Sequence, residues 1–172
     1  MDNESSTTEN GNSPTHRELA DAGDAAAQFG LGFSLANSGT DSDYTQAARW
    51  YRLAAEQSHP LAQFNLGVMY SKGQGVARDQ SISLMWMSKA AQLGDAGAQY
   101  ELGIRQHRLS MDRAEEEAIE LKTEAYKWLQ LAAAQGYGDS EIGCESVAMD
   151  MNHSGVIEGK RRAEAFVPGL RE

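Results

Sequence analysis

Three six-residue segments of this chain are near copies of one another. They are Ala27-Gln28-Phe29-Gly30-Leu31-Gly32, Ala62-Gln63-Phe64-Asn65-Leu66-Gly67 and Ala98-Gln99-Tyr100-Glu101-Leu102-Gly103. Their leading alanines are separated by 35 and then 36 residues. A phrase returning at such a period restricts the fold severely: each copy marks a unit too small to bury its own apolar face, so units must stack. A second phrase follows each first one: Ala47-x-x-Trp50-x-x-x-Ala54-Ala55, Ser83-x-x-Trp86-x-x-x-Ala90-Ala91 and Ala125-x-x-Trp128-x-x-x-Ala132-Ala133. Its tryptophans are 36 and then 42 residues apart. The third unit therefore carries an insertion of about six residues, after Arg108.

The residue types specify helices. Ala62, Leu66 and Tyr70 fall on one helical face, and Gly67 beside them lets a neighbouring helix approach closely. On the second helix Trp86 supplies bulk and Ala90, one turn on, leaves room for it. The punctuation agrees. Pro60 suits a first helical position, Gly73 a left-handed cap, and Asp79 an N-cap. Asp43 with Gln46 reads as a capping box. No alternating apolar run asks for a strand. The expected fold is all-α, an α-solenoid of stacked antiparallel helix pairs with about three repeats and partial end units.

The expected organisation is a disordered acidic and polar tail over 1–14 and a single repeat domain over 15–168. Within it come a leading helix at 15–22 and repeats at roughly 24–58, 59–94 and 95–136. A partial fourth repeat at 137–150 and a terminal capping helix near 155–167 complete the array. The end units are read from echoes: Leu19-Ala20-Asp21-Ala22-Gly23-Asp24 mirrors Ala90-Ala91-Gln92-Leu93-Gly94-Asp95, and Gly136 to Ile142 mirrors Gly94 to Tyr100. In the fourth unit Cys144-Glu145 replaces the Leu-Gly pair, and Pro168-Gly169 stops the final helix.

These residues resemble the Sel1-like repeat, a relative of the tetratricopeptide repeat. That pattern runs roughly Ala-x-x-x-Leu-Gly-x-x-Tyr-x-x-Gly-x-Gly-Val-x-x-Asp, then a Trp and a double Ala. The second unit matches it at Ala62, Leu66, Gly67, Tyr70, Gly73, Gly75, Val76, Asp79, Trp86, Ala90 and Ala91. The first unit has Asn37 to Ser42 in place of the glycine-valine turn, and the third has its insertion there. The resemblance extends over roughly Arg17 to Met149. It implies a superhelix whose first helices line a concave wall, the usual binding surface of such arrays. Cysteine-rich members of the family staple their repeats with disulfides. This chain has one cysteine, Cys144, so their proposed β-lactam-related activity is not carried over.

Catalytic motifs are sparse. His16, His59, His107 and His153 form no metal-binding spacing, Gly73-Gln74-Gly75 follows a helix rather than a strand, and neither Gly-x-Ser-x-Gly nor Ser-x-x-Lys occurs. Cys144, at a leucine position, reads as a small buried hydrophobe. The formal net charge of −10 disfavours nucleic acid and anionic membrane surfaces. Glu115-Glu116-Glu117 with Glu120 and Glu124 suits a solvated helix start rather than a site for a basic partner. The chain shows neither a secretory signal pattern nor a run long enough to span a membrane, which leads to the expectation of a cytoplasmic protein.

By analogy with tetratricopeptide repeats, two positions per first helix face the groove: Phe29 and Phe33, Phe64 and Val68, Tyr100 and Ile104, then Ile142 and Ser146. Lys72, His107 and Arg108 would add a polar rim. The same aromatic residues suit filling the gaps between adjacent repeats somewhat better, since Phe and Tyr contribute heavily to cores. The expected function is a non-catalytic adaptor or scaffold taking a protein or peptide in its groove, with no cofactor and no metal, as a monomer or weakly self-associating. The alternatives are a hydrolase or small-ligand protein with an unrecognised site, and a structural or self-associating subunit.

Overall fold

The computed structural model describes residues 15–169, so the expected disordered tail over 1–14 lies outside the described residues. The chain forms α1 (His16–Asp21), then three helix pairs: α2 (Ala25–Ser38) with α3 (Asp41–Glu56), α4 (Pro60–Lys72) with α5 (Gln80–Gln92), and α6 (Ala96–Ser110) with α7 (Glu115–Ala134). It ends with α8 (Ser140–Met149) and α9 (His153–Glu164). Each second helix packs on its own partner and on the first helix of the next pair: α3 on α4, α5 on α6, α7 on α8. The core is accordingly a chain of seams. Ala47, Tyr51, Ala54, Leu66 and Trp86 form one, Ala90, Ala98, Leu102 and Trp128 the next, and Ala125, Tyr126, Leu129, Cys144 and Val147 the third.

The repeated phrase explains how units lock in register. Its glutamine is buried, and the side-chain amide donates to a backbone carbonyl in the last turn of the preceding helix. The bonds are Gln28 Nε2 to Ala20 O at 3.1 Å, Gln63 to Ala55 O at 3.0 Å and Gln99 to Ala91 O at 3.2 Å. Those carbonyls belong to the group a helix end leaves short of partners. The phrase's final glycine lets the paired helix in. A Cβ on Gly103 would lie 2.6 Å from Leu129 Cγ and 3.1 Å from Ala125 O, and one on Gly67 would lie 2.9 Å from Met87 Cγ.

Helix ends follow the sequence signals with one correction. Pro60 opens α4, Gly73 closes it at φ 73°, and the Asp79 carboxylate caps α5 by accepting from Ser81 and Ile82 N–H groups. The box expected at Asp43 and Gln46 does not form. The helix starts earlier: Thr40 is the N-cap and accepts from the N–H of Asp43, whose carboxylate accepts from the Thr40 and Ser38 hydroxyls. Thr40 with Asp43 has the same cap-to-third-residue spacing as the expected pair, so spacing alone did not distinguish them.

The insertion lengthens helix rather than loop: α7 has 20 residues against 13 in α5. Its added turns receive α9. Gly159 of α9 packs against Tyr126, and Arg162 reaches across to Glu124 at 2.7 Å and to Glu120 while also accepted by Glu158 of its own helix at 2.9 Å. Glu120 and Glu124 are thus half of an interhelical clasp, while Glu115, Glu116 and Glu117 are exposed at the helix start.

Two predictions follow from this packing. Gly103→Ala forces a methyl group into Leu129 and the α7 backbone, and is expected to destabilise by about 1–3 kcal/mol, read as a drop of several degrees in Tm. The clasp makes stability depend on pH. Hydrogen bonds from Arg162 hold the Glu120 carboxyl below its usual range, and those from Arg161 and Arg162 bring Glu158 down to about 2. Carboxylates lowered on folding contribute fully above their unfolded pKa, near 4.5, and lose that contribution as pH falls toward the folded values. Wild type is therefore expected to lose more Tm between pH 5 and pH 3 than Arg162→Ala; equal losses in thermal melts would refute the clasp.

Candidate functional site

The aromatic residues proposed for the first-helix groove sit in the seams between units. The Phe29 ring stacks on His59, the residue before the next first helix, at 4.8 Å and lies 5.8 Å from Tyr51. Phe64 packs on the second core cluster and lies across Gly97, where a Cβ would stand 3.0 Å from its Cζ. Tyr100 meets Tyr137 at 5.8 Å. Each is half-buried because the next unit's N-terminal turn comes down on it. Phe33 is 50% exposed, Lys72 and Arg108 are exposed, and Val68 is half-buried. Ile104 packs against the third core cluster and shares a cavity of about 260 Å³ with Ser71, Glu101, Arg105 and Arg108. In the fourth unit Ile142 and Ser146 are exposed. His107 is no rim residue: it is 8% exposed, with Nε2 3.1 Å from an Asp150 carboxylate oxygen, and so ties α6 to the end of α8.

The titratable groups of the interior serve packing. Burial pushes the Cys144 thiol up to about 11, which keeps it protonated at neutral pH, among Tyr126 and Val147. Burial lowers the pKa of His59, whose Nδ1 accepts the N–H of Ala62 as the cap of α4. A neutral ring is what that acceptor role requires. Among the described residues, no three His, Cys, Asp or Glu side chains are grouped as a metal site would need.

The face carrying the second helices is different in character. Its three tryptophans form a row, each touched by a different element. The Arg17 guanidinium of α1 lies 5.1 Å from the Trp50 ring centre, Lys89 Nζ lies 4.4 Å from that of Trp86, and Phe166 meets Trp128 edge-on at 5.6 Å. Lys127 Nζ, almost fully buried, lies 4.6 Å from the Trp128 ring. Phe166 belongs to the non-helical segment Phe166–Gly169 that follows α9 and runs back over α7 to α5. There the Gly169 N–H donates to Gln92 O at 2.9 Å, and Pro168 packs 3.4 Å from where a Cβ of Gly94 would be. The surface of the second helices thus holds a short peptide segment of its own chain by one aromatic contact, one proline contact and one backbone hydrogen bond. Beside Gly169 opens a cavity of about 400 Å³, lined by Ala55, Glu56, Ser58, Gln63, Trp86 and Lys89. The core assignment of the tryptophans holds for Trp86 and Trp128, which lie buried in two of the seams; what sequence reasoning missed is the segment that packs on Trp128 from outside. The one available signal was an aromatic-x-Pro-Gly run after the last helix, which carries no repeat period.

Because Phe64 fills a seam, Phe64→Asp is expected to lower stability by about 3 kcal/mol or more. Phe33→Asp, at an exposed position, should stay within roughly 0.5 kcal/mol of wild type. Denaturant melts of the two variants decide the point, and equal midpoints would place Phe64 at the surface.

A family model for the Sel1 repeat matches residues 25–59, 60–95, 96–121 and 122–137, the last two dividing the unit lengthened by the insertion. Among solved structures, the chain is similar to a Sel1 repeat protein from Oxalobacter formigenes, with 34% identity over 76% of this chain and 95% of the other and a TM-score of 0.61. It also shares its fold with c5321, a protective antigen of uropathogenic Escherichia coli strains displaying an SLR fold, at 24% identity and a TM-score of 0.74. That match covers 88% of this chain but 31% of the antigen, so the chain spans about a third of its length. No helix among the described residues is long and apolar enough to cross a membrane. With the repeat phrases, the paired helices and the family match in agreement, the chain belongs to the Sel1 repeat family.

Proposed function

We propose that this chain is a non-catalytic interaction module that holds short peptide segments against its tryptophan-bearing face. Sel1 repeats are commonly protein-interaction modules, which supplies the class. The observation that carries the reading is the seating of Phe166–Gly169 on Trp128, Gly94 and Gln92. An edge-to-face aromatic contact, a proline with little entropy to lose and a main-chain hydrogen bond are elements by which proteins recognise short segments in trans. Here they act in cis, where the tether keeps the segment at high local concentration.

A second reading places a partner on the first-helix face, at Phe33, Val68, Ile104, Lys72 and Arg108. It is supported by the exposure of Phe33 and by the cavity shared by Ile104 and Arg108. Phe29, Phe64 and Tyr100 belong to the seams beneath that face and His107 to the interior, so this partner would meet a shorter apolar surface than an unbroken ladder.

The two readings separate in one experiment on the full chain. Phe166→Ala loosens the tethered segment from Trp128. A synthetic peptide of residues 164–169 is then expected to shift the fluorine resonance of a 5-fluorotryptophan at position 128 saturably in the variant and to leave that resonance unmoved in wild type. The same titration repeated on Phe33→Asp in the Phe166→Ala background should be unchanged. No saturable response from a Phe166→Ala protein with a normal helical melt would overturn the reading.

A further inference from the structure

The cavity beside Trp86 is the counterpart, one repeat earlier, of the niche that Phe166–Gly169 fills. In repeat register Ala55, Glu56, Ser58, Gln63 and Trp86 correspond to Ala91, Gln92, Gly94, Gln99 and Trp128. In the later niche Phe166 takes the tryptophan, Pro168 lies on Gly94, and Gly169 donates to Gln92 O. In the earlier one the Trp86 ring faces Lys89, and Gly169 forms part of the wall, so the two niches are continuous.

The earlier niche also contains an orphaned acceptor. Gln63 is 3% exposed, and its Oε1 has no donor among the described residues, although its Nε2 is bonded to Ala55 O. The neighbouring units show what belongs there. Gln28 Oε1 accepts from Gln57 Nε2 at 2.8 Å, and Gln99 Oε1 accepts from Gln135 Nε2 at 2.9 Å. Gln57 and Gln135 are the residues that follow α3 and α7; the residue in that place after α5 is Leu93, which has no donor to offer. A buried acceptor left without its hydrogen bond is a standing penalty that a ligand donor removes. One further departure lies in the same wall. Ser58 adopts φ 64°, where the corresponding residues are Gly23, Gly94 and Gly136, and it is the positive-φ non-glycine among the described residues.

We propose that the Trp86 cavity is a second peptide site, and that it takes from a partner protein a segment of the same chemistry as Phe166–Gly169: an aromatic side chain followed closely by proline and glycine. The proposal rests on the reading that the tryptophan face holds peptides, and it names the site and the partner class. The aromatic ring meets Trp86 edge-on, as Phe166 meets Trp128. A backbone N–H meets Glu56 O in the place of Gln92 O, and a second N–H meets Gln63 Oε1 in the place of Gln57 or Gln135. Glu56 and Lys89 both line the cavity, so a segment without net charge is matched. The chain's own Phe166 is engaged one repeat away, which leaves the occupant to come from another molecule.

The test labels the full chain with 5-fluorotryptophan, which gives one fluorine resonance for each of Trp50, Trp86 and Trp128, assigned by single Trp→Phe variants. The probe is the peptide acetyl-Ala-Phe-Val-Pro-Gly-amide. The expected result is a saturable shift of the Trp86 resonance with Trp128 unmoved. Leu93→Gln restores the donor found in the other repeats, and is expected to raise Tm while weakening the peptide by roughly three- to tenfold. Movement of Trp128 alone overturns the proposal but leaves the peptide-binding reading standing, because the probe has then exchanged with the tethered segment. Silence at all three resonances overturns the proposal, and the reading falls with it only if the Phe166→Ala titration is silent too. A Trp86 shift that follows protein concentration without peptide assigns the cavity to a second copy and overturns the partner. An unchanged affinity in Leu93→Gln removes the role of Gln63.

Discussion

The buried glutamine that reaches back to the preceding helix is the contact from which the array is built. In a solenoid each repeat packs mainly on its neighbours, so each seam must set its own register and hold it. Apolar packing alone specifies register weakly, because alanine-rich surfaces slide. A hydrogen bond from Gln28, Gln63 or Gln99 to one particular carbonyl does not tolerate sliding, since a shift strands a buried amide and a buried carbonyl together. The alanines before each glutamine and the glycine at the end of each phrase then bring the helices close enough for the bond to form. The aromatic residue after the glutamine closes the seam from the side, on His59, Gly97 or Tyr137 according to the unit.

The two ends of the array need other solutions, because a terminal unit has no neighbour to complete its seam. At the N-terminal end α1 supplies both the carbonyl for Gln28 and a guanidinium over Trp50. At the C-terminal end the extended α7 outgrows its pair, and α9 folds back to cover it. The Arg162 clasp fixes α9 there and aims the segment after it along the row of tryptophans. A helix added as a cap thereby delivers a peptide onto a surface that the repeats present at each unit. End-capping and segment-holding are one structural event in this chain.

The helix pairs, their boundaries near Pro60, Gly73 and Asp79, and the core face were legible because they recur: a residue that returns at the period declares its role. What did not recur was misread or missed. The start of α3 was displaced because two overlapping cap patterns share the same spacing, and hydroxyls at Ser38 and Thr40 decided for the earlier one. His107 read as surface because its partner, Asp150, is 43 residues away, and no local pattern announces such a pair. The aromatic ladder was legible both as a groove lining and as a filling of the seams, and the structure gives the second, since helical spacing fixes the face of a residue but not the depth to which the next unit covers it. The tail contact was least legible of all: Phe166 meets Trp128 through a turn set by α9, and nothing about the two residues in sequence relates them.

Periodicity also makes departures informative. In a linear array the stability of each seam is nearly independent of the others, so selection for folding has no need to correct one weak seam if its neighbours hold. Leu93 where a donor belongs, Gln63 Oε1 left short by it, and Ser58 in a glycine conformation all fall at one seam, where the second pair meets the first. Their convergence around one cavity is what a site that exchanges internal bonds for external ones would show, because a seam completed from within has no acceptor to offer. A ligand that supplies the missing donor there satisfies the free acceptor of a glutamine whose register bond to Ala55 is already made.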